Sequence, residues 1–483
     1  MKDTTFGVII GTRGFFNPKL AQDGRKEILI RLDKLGYNYI ALSENDTQYG
    51  AVETLEDARK CAGLFRDKHK KIDGIIVSLP NFGDEVGIVN TLDIAKLDVP
   101  ILVQAFNDDL DNMDINHRRD SFCGKISVCN NLYQYNIKFT NTSLHTYPIT
   151  SKEFSDDIEF FAKVCRVVRG LKEARVAQIG TRPTPFQTVR YSEKILQKSG
   201  ITIVPVDLSE IIAYANELRD SVKVRDKVAE IKSYGKVPDY IKEENIIKSA
   251  KLTLSVDKFM IDNDCVAGAM QCWSSIQKNY GCAACLPMSL SGEKGKPIAC
   301  ETDVMGAVSM YALYLASGKP SGYLDWNNNY LNEKDKCINT HCSSFPKGFI
   351  ATDFEISNLD ILGSSLGYDI CFGACKSQVA PSPMTFAKLS TDDSCGKIKV
   401  YFGEGVFTDD PVNTPGGIAV CKINRLQELM DFICQNGFEH HVAMNRSLSA
   451  KVLNEALGKY LRWEIYWHNY TKDLNGTSLQ NFH

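Results

Sequence analysis

The sequence predicts an α/β protein: two tandem Rossmann-like, doubly wound domains followed by a C-terminal antiparallel β-barrel domain. Three observations carry this expectation. Apolar, β-branched runs alternate with amphipathic helical stretches, the pattern of βαβ crossovers. The order strand, glycine–arginine loop, helix occurs twice, at Gly11-Thr12-Arg13-Gly14 and at Gly180-Thr181-Arg182-Pro183. After about residue 350 the texture changes to short strand-like runs punctuated by glycines, prolines and Asp-Asp pairs. The expected divisions are 1–172 for the first α/β domain, 173–350 for the second, which carries the candidate metal-site acids, and 351–483 for the barrel and a closing helix.

Thr5 to Ile10 is apolar almost throughout, as a parallel strand buried on both faces is. Helical periodicity over Leu20–Leu35, Leu55–His69 and Ile88–Ile94 alternates with strand-like Tyr37–Leu42, Ile72–Ser78 and Val99–Ala105. Ligands of such sheets gather at the carboxyl ends of the strands, where Arg13 would sit. Residues 106–150 are more polar. Asp109, Asp111 and Asp114 lack the glycine and distant glutamate of a calcium loop and read as solvated loop. The amphipathic helix Phe154–Leu171 leads into the second alternation: strand Arg175–Ile179, helix Val189–Lys198, strand Ile201–Val206. A charged helical excursion is expected at 220–251 and a buried helix at Val304–Leu315. Strands are then expected at Tyr368–Cys371, Met384–Leu389, Ile398–Phe402 and Gly417–Ile423, with a closing helix at Ala450–Trp463.

Composition narrows the function. The 483 residues are 43% hydrophobic and 24% charged, with a formal net charge of −3, a balance that draws the chain neither to nucleic acid nor to an anionic membrane surface. The longest mainly apolar run, Val304 to Ala316, is too short to span a bilayer, and the opening MKDTTFGVIIG reads as a strand rather than a secretory leader. The 16 cysteines are scattered rather than framed, so a cytoplasmic location is expected, with the thiols as small core residues. Cys282 and Cys285 have zinc-ligand spacing but no second pair at a fitting distance, and with Cys371 and Cys375 they read as structural. Neither a G-x-G-x-x-G after a strand nor a G-x-x-x-x-G-K-[ST] occurs, so the ligand is not announced as a nucleotide.

Chemistry concentrates between Pro297 and His341 and again at Asn436-Gly437-Phe438-Glu439-His440-His441. Glu301 and Asp303 stand where a strand ends and a helix begins. Asp325 follows the strand-like Gly322-Tyr323-Leu324, and His341 closes the run. Singly these have plain readings: acids at a helix N-terminus, a turn aspartate, a core histidine. Together, two carboxylates and two imidazoles could close on one divalent ion. The absence of a thiolate from that set argues against a soft metal.

At these residues the sequence resembles the L-fucose isomerase and L-arabinose isomerase superfamily, most specifically in ACETDVMGA with YLDWNNNY, DKCINTHCSSFPK and GFEHH. The resemblance implies a metal site of Glu301, Asp325, His341 and His441 holding Mn²⁺, with Mg²⁺ or Co²⁺ as alternatives. It implies contacts to a monosaccharide from Trp273 in the segment Gln271-Cys272-Trp273 and from Arg13 reaching a neighbouring subunit; His440 is expected either to touch the sugar or to support the metal ligands from behind. It also implies two Rossmann-like domains, a C-terminal β-barrel, and a trimer or hexamer with active sites between subunits. The activity implied is aldose–ketose isomerisation through an ene-diol, on L-fucose, D-arabinose, L-arabinose or a 6-deoxy-6-sulfo sugar. Glu301 and Asp325 would be the proton-transfer pair. A metal-dependent sugar epimerase or aldolase could use the same ion, and tandem α/β domains also build non-catalytic sugar-binding modules.

Overall fold

A computed structural model describes residues 4–469 of the chain. The chain divides into two compact units. One runs up to Arg169 and takes in Glu455–Arg462; the other is Gly170–Asn454 with the residues from Trp463 on.

The first unit is built on a parallel sheet of β1 (Thr5–Ile10), β2 (Asn38–Ile40), β3 (Gly74–Leu79), β4 (Ile101–Ala105) and β5 (Thr140–Asn141), in the order β2-β1-β3-β4-β5. Alternating side chains sort to opposite faces, as the two-residue period of a strand demands. Phe6, Val8, Ile10 and Ile76 pack on one face against the helices Pro18–Leu35 and Lys152–Lys172. Ile9, Ile75, Val77 and Leu79 pack on the other against Leu55–Asp67, Glu85–Ala95 and Ser121–Gln134. Both faces are covered, so the strands carry no polar face and the sheet is doubly wound. Late in the chain, the π-helical turn Asn454–Tyr460 contributes to this unit: Thr140 donates to Glu455 (2.6 Å), and the Tyr460 hydroxyl donates to the Ile101 carbonyl (3.1 Å).

The second unit repeats the plan in β6 (Arg175–Ile179), β7 (Thr202–Val206), β8 (Ala267–Met270) and β9 (Ile298–Ala299), all parallel in the order β7-β6-β8-β9. The strand order matches that of β2-β1-β3-β4, so the repeat seen in the loops extends to topology. The charged excursion is two helices, Val222–Tyr234 and Glu243–Asp262, and the buried helix runs Val304–Ser317.

The same unit holds a nine-stranded sheet of β10 (Ser321–Asp325), β11 (Lys336–His341), β12 (Glu355–Asn358), β13 (Phe372–Gln378), β14 (Ser382–Asp392), β15 (Lys397–Thr408), β16 (Gly417–Lys422), β17 (His441–Asn445) and β18 (Glu464–Trp467). Its order is β10-β17-β14-β15-β16-β13-β12, with β11 on β16 and β18 on β15. This corrects the expected antiparallel barrel. The sheet is mixed, because β13 pairs parallel to β16 and β18 parallel to β15, and among the described residues its strand order does not return on itself. Two further expectations change. Tyr368–Ile370 is a 3₁₀ turn after Gly367 (φ 104°), and the strand starts only at Phe372. The closing helix is one α-turn, Ala450–Leu453, followed by the π-helical turn, while Trp463 lies beyond it ahead of β18. Among the described residues, no helix is long and apolar enough to cross a membrane.

Candidate metal centre

The candidate residues of the second unit sit at strand ends, where the sheet holds the backbone and frees the side chains. Trp273 follows β8, and Glu301 follows β9 in the short turn Cys300–Thr302. Asp325 is the last residue of β10 and pairs directly across with His441, the first of β17. His341 ends β11. The backbone NH of Trp326 donates to the His440 carbonyl (3.0 Å), which locks this register one residue beyond the pair.

These side chains converge. His441 Nε2 lies 3.5 Å from Asp325 Oδ1 and 3.8 Å from Glu301 Oε2. His341 Nε2 lies 3.7 Å from the same Glu301 oxygen and 3.9 Å from the same Asp325 oxygen. His440, half-exposed, brings its Nε2 to 3.8 Å from Asp325 Oδ1. Glu301 Oε2 and Asp325 Oδ1 are buried, yet neither has a hydrogen-bond partner. Two orphaned anionic oxygens facing imidazole nitrogens would be costly unless something cationic satisfies them. Metal–ligand bonds of roughly 2.0–2.2 Å set tetrahedral ligands about 3.4 Å apart, so the observed cradle is a few tenths of an ångström wider than a bound ion would draw it. The residues present therefore fit a divalent cation.

The surroundings tune these groups. Burial drives the Glu301 carboxyl up from 4.5 to about 7, with Cys342 adding to the rise and His341, Trp273 and Cys272 opposing it. The other oxygen, Glu301 Oε1, accepts from Trp273 Nε1 (3.0 Å) and Cys272 Sγ (3.3 Å), so the carboxylate is aimed. Burial also raises Asp325, against the pull of His341 and His441. Burial lowers His441 and His440, which favours the neutral imidazole that a metal requires, whereas at His341 burial is outweighed by Cys342 and Cys300, which hold the ring well above its ordinary value.

Behind His441 lies a buried network. His441 Nδ1–H donates to Asp303 Oδ2 (3.0 Å), which leaves Nε2 with its lone pair toward the carboxylates. Asp303 also accepts from Lys388 Nζ (3.0 Å) and from the Tyr323 hydroxyl, while its other oxygen caps the helix by accepting from the Gly306 NH (2.7 Å). Burial alone would raise the Asp303 carboxyl, but Lys388, His441 and Tyr323 hold it well below the usual carboxylate range. Asp303 is thus the helix N-terminal acid its position predicts, and also the partner of a candidate ligand. The sequence reading missed Lys388, whose signal was available: a lysine inside the apolar strand run Met384–Leu389 needs a buried counter-ion.

Phe186 was also missed; its ring packs edge-on against Trp273 and His440 at centroid distances of 5.3 and 5.8 Å. It helps line a cavity of about 710 Å³ with Trp273, Glu301, Asp325, His341 and His441. Arg13 lies in the other unit, where it pairs with Glu85 and its guanidinium sits 4.2 Å from the Phe82 ring centroid.

The fold and site thus define an α/β protein with a buried carboxylate–imidazole cradle at strand ends beside a cavity of monosaccharide-accommodating size. Family profiles place it further: "Fucose/sulfoquinovose isomerase, N-terminal domain" matches residues 7–172, and "L-fucose isomerase, C-terminal domain" matches residues 339–468. The chain belongs to the fucose isomerase-like superfamily. Curated relatives include sulfoquinovose isomerases of Priestia aryabhattai and Priestia megaterium, each 24% identical over 57% of this chain and 60% of the relative. A sulfoquinovose isomerase of Alkalicoccus urumqiensis is 21% identical over 61% of this chain and 65% of that protein. The chain thus spans 60–65% of the length of these relatives. A crystal structure of a galactofuranose binding protein superposes with a TM-score of only 0.15 at 8% identity, covering 66% of this chain and 90% of that one.

Proposed function

We propose that this protein is a divalent-metal-dependent aldose–ketose isomerase of a monosaccharide, with Mn²⁺ the expected ion and Mg²⁺ or Co²⁺ as alternatives. One observation carries the reading: the partnerless oxygens of Glu301 and Asp325 face the Nε2 atoms of His341 and His441 beside a sugar-sized cavity. These four residues would hold the ion. A bound divalent ion supplies Lewis-acid polarisation of adjacent substrate oxygens.

The remaining work falls to the chain. Isomerisation moves one proton from C2 to C1 of the sugar and one from O2 to O1, with an ene-diol between. Glu301 is the proton carrier: it lines the cavity, and Trp273 holds its carboxylate in place by donating to Oε1. Asp325 is its counterpart. Trp273 and Phe186 wall the cavity, and His440 faces the sugar. The names of the relatives put sulfoquinovose first among the sugars to try, ahead of L-fucose, D-arabinose and L-arabinose. All 16 cysteines are free thiols, which supports a reducing, cytoplasmic setting. A homo-oligomer, trimer or hexamer, with Arg13 contributing to a neighbouring subunit's site, completes the reading.

The test is a sugar panel with Mn²⁺-loaded protein, scored for ketose formation and for solvent deuterium entering C1 or C2. Ketose with deuterium incorporation is expected. No ketose from any of the sugars would remove the isomerase reading. Epimerised aldose would point to an epimerase instead, and cleavage products to an aldolase.

A further inference from the structure

Three cysteines crowd Glu301 on the side of its Oε1, and the Cys342 Sγ also lies 3.4 Å from His341 Nδ1. Cys272 follows β8, Cys300 follows β9 and Cys342 follows β11. Cys300 Sγ and Cys342 Sγ are 3.5 Å apart, and Cys272 Sγ is 3.3 Å from Glu301 Oε1. One ligand atom from each of Cys272, Cys300, Glu301 and Cys342 lies within 4.8 Å of every other. None of the three thiols is in a disulfide. Sulfurs bound to a tetrahedral ion at about 2.3 Å stand roughly 3.8 Å apart, so this spacing needs little adjustment to become a coordination shell.

We propose that Cys272, Cys300, Cys342 and Glu301 form a second, thiolate-rich site for a thiophilic divalent ion such as Zn²⁺ or Cd²⁺, sharing Glu301 with the carboxylate–imidazole set. The donor chemistry separates the two sites: sulfur selects soft ions, while carboxylate and imidazole serve Mn²⁺ and its like. Each thiol passes its proton to solvent as the metal–sulfur bond forms. Entry is from the cavity, which Cys272 and Cys342 line; Cys300 lies deeper, fully buried. The three sulfurs are held by strand ends rather than long loops, so the site is preorganised. Glu301 turns Oε1 to the thiols and Oε2 to the imidazoles. A cation on Oε1 withdraws charge from Oε2 and removes the proton carrier. A thiophilic ion is therefore an inhibitor that acts from the back of the site, and this last step rests on the proposed isomerase reading.

The experiment titrates Cd²⁺ into the full-length protein in a phosphine-reduced buffer and follows the near-ultraviolet thiolate-to-cadmium charge-transfer band. The band should saturate at one ion per chain. It should be largely lost in the C300S/C342S double variant, with folding checked by circular dichroism. Alkylation mapped by peptide mass spectrometry on the unaltered protein gives a second readout, in which one equivalent of Cd²⁺ should shield Cys272, Cys300 and Cys342 together. Absence of a saturable band, an intact band in a folded double variant, or shielding confined to the exposed Cys123, Cys395 and Cys434 would overturn the site. Activity then separates the two readings. A cadmium band in a protein that isomerises no sugar leaves the thiol site standing and removes the isomerase. An active, Mn²⁺-loaded enzyme untouched by one bound Cd²⁺ overturns the sharing of Glu301.

Discussion

Glu301 holds a left-handed backbone conformation (φ 54°, ψ 21°), and Thr302 follows with φ 58°. Side chains other than glycine and asparagine rarely adopt it, and the cost, of order 1 kcal/mol or more, is tolerated where the surroundings impose it for a purpose. Here it turns the carboxylate back between Trp273 and the imidazoles. Glu301→Gln keeps the shape and removes the proton-accepting oxygen. Turnover is expected to fall by roughly 10²–10⁴-fold with the fold retained, checked by steady-state kinetics alongside thermal melting. The carboxyl raised to about 7 also sets a pH dependence. An ion requires the deprotonated carboxylate and neutral imidazoles, and burial of His341 is outweighed by Cys342 and Cys300, which hold it well above its ordinary value, so Mn²⁺ affinity should fall by at least roughly tenfold per pH unit below the Glu301 midpoint. A Mn²⁺ titration followed by electron paramagnetic resonance at several pH values checks this, and a flat profile would contradict it. Lys388, fully buried, is the cation that keeps Asp303 ionised behind His441. Lys388→Met leaves a buried charge unpaired and should cost about 3–5 kcal/mol in urea unfolding, with part of the loss recovered by adding Asp303→Asn.

At the scale of elements, the site depends on register. Asp325 faces His441 because β10 and β17 pair without a slip from Ser321↔Asn445 onward, and a one-residue shift would turn the acid to the other face of the sheet. The helix that begins behind Asp303 contributes closeness. A Cβ on Gly306 would fall within the Tyr323 hydroxyl, so only glycine lets that ring reach Asp303. Gly306→Ala should lower stability by about 1–3 kcal/mol despite alanine's better helix propensity, and should weaken metal binding because His441 loses its fixed backing. Calorimetry and a metal titration on the same variant check both parts. Regular elements were legible where periodicity is strong: Thr5–Ile10 and Arg175–Ile179 are strands over the expected residues. Tyr368–Cys371 was misread because composition alone cannot separate a short 3₁₀ turn after a glycine from a strand.

For the whole molecule, the resemblance places Arg13 at a neighbouring subunit's sugar. Arg13 stands at the carboxyl end of β1, one strand from the edge of a doubly wound sheet, where ligands of such sheets gather. If sites are shared between subunits, Arg13→Ala and Glu301→Gln proteins, each inactive alone, should regain activity when unfolded, mixed and reassembled together. A mixture that stays inactive, although sedimentation shows mixed oligomers, would place Arg13 outside the site.

The sequence by itself determined the parallel, doubly wound plan, its repetition, and which acids and histidines stand out, because strand period, buried apolar runs and the rarity of eight histidines are local properties of the chain. It suggested that Glu301, Asp325, His341 and His441 belong together, through motif resemblance rather than through contact. Only the tertiary structure decided that their atoms meet within 4 Å in the pairs described, that Lys388 and Tyr323 stand behind Asp303, that three thiols crowd Glu301, and that the C-terminal sheet is mixed. The physical reason is one of distance along the chain. Lys388 and Asp303 are 85 residues apart, and His441 and Asp303 are 138 apart. Pairings that far apart are chosen by which strands and side chains bury each other's polar groups, and no local pattern of residues records that choice.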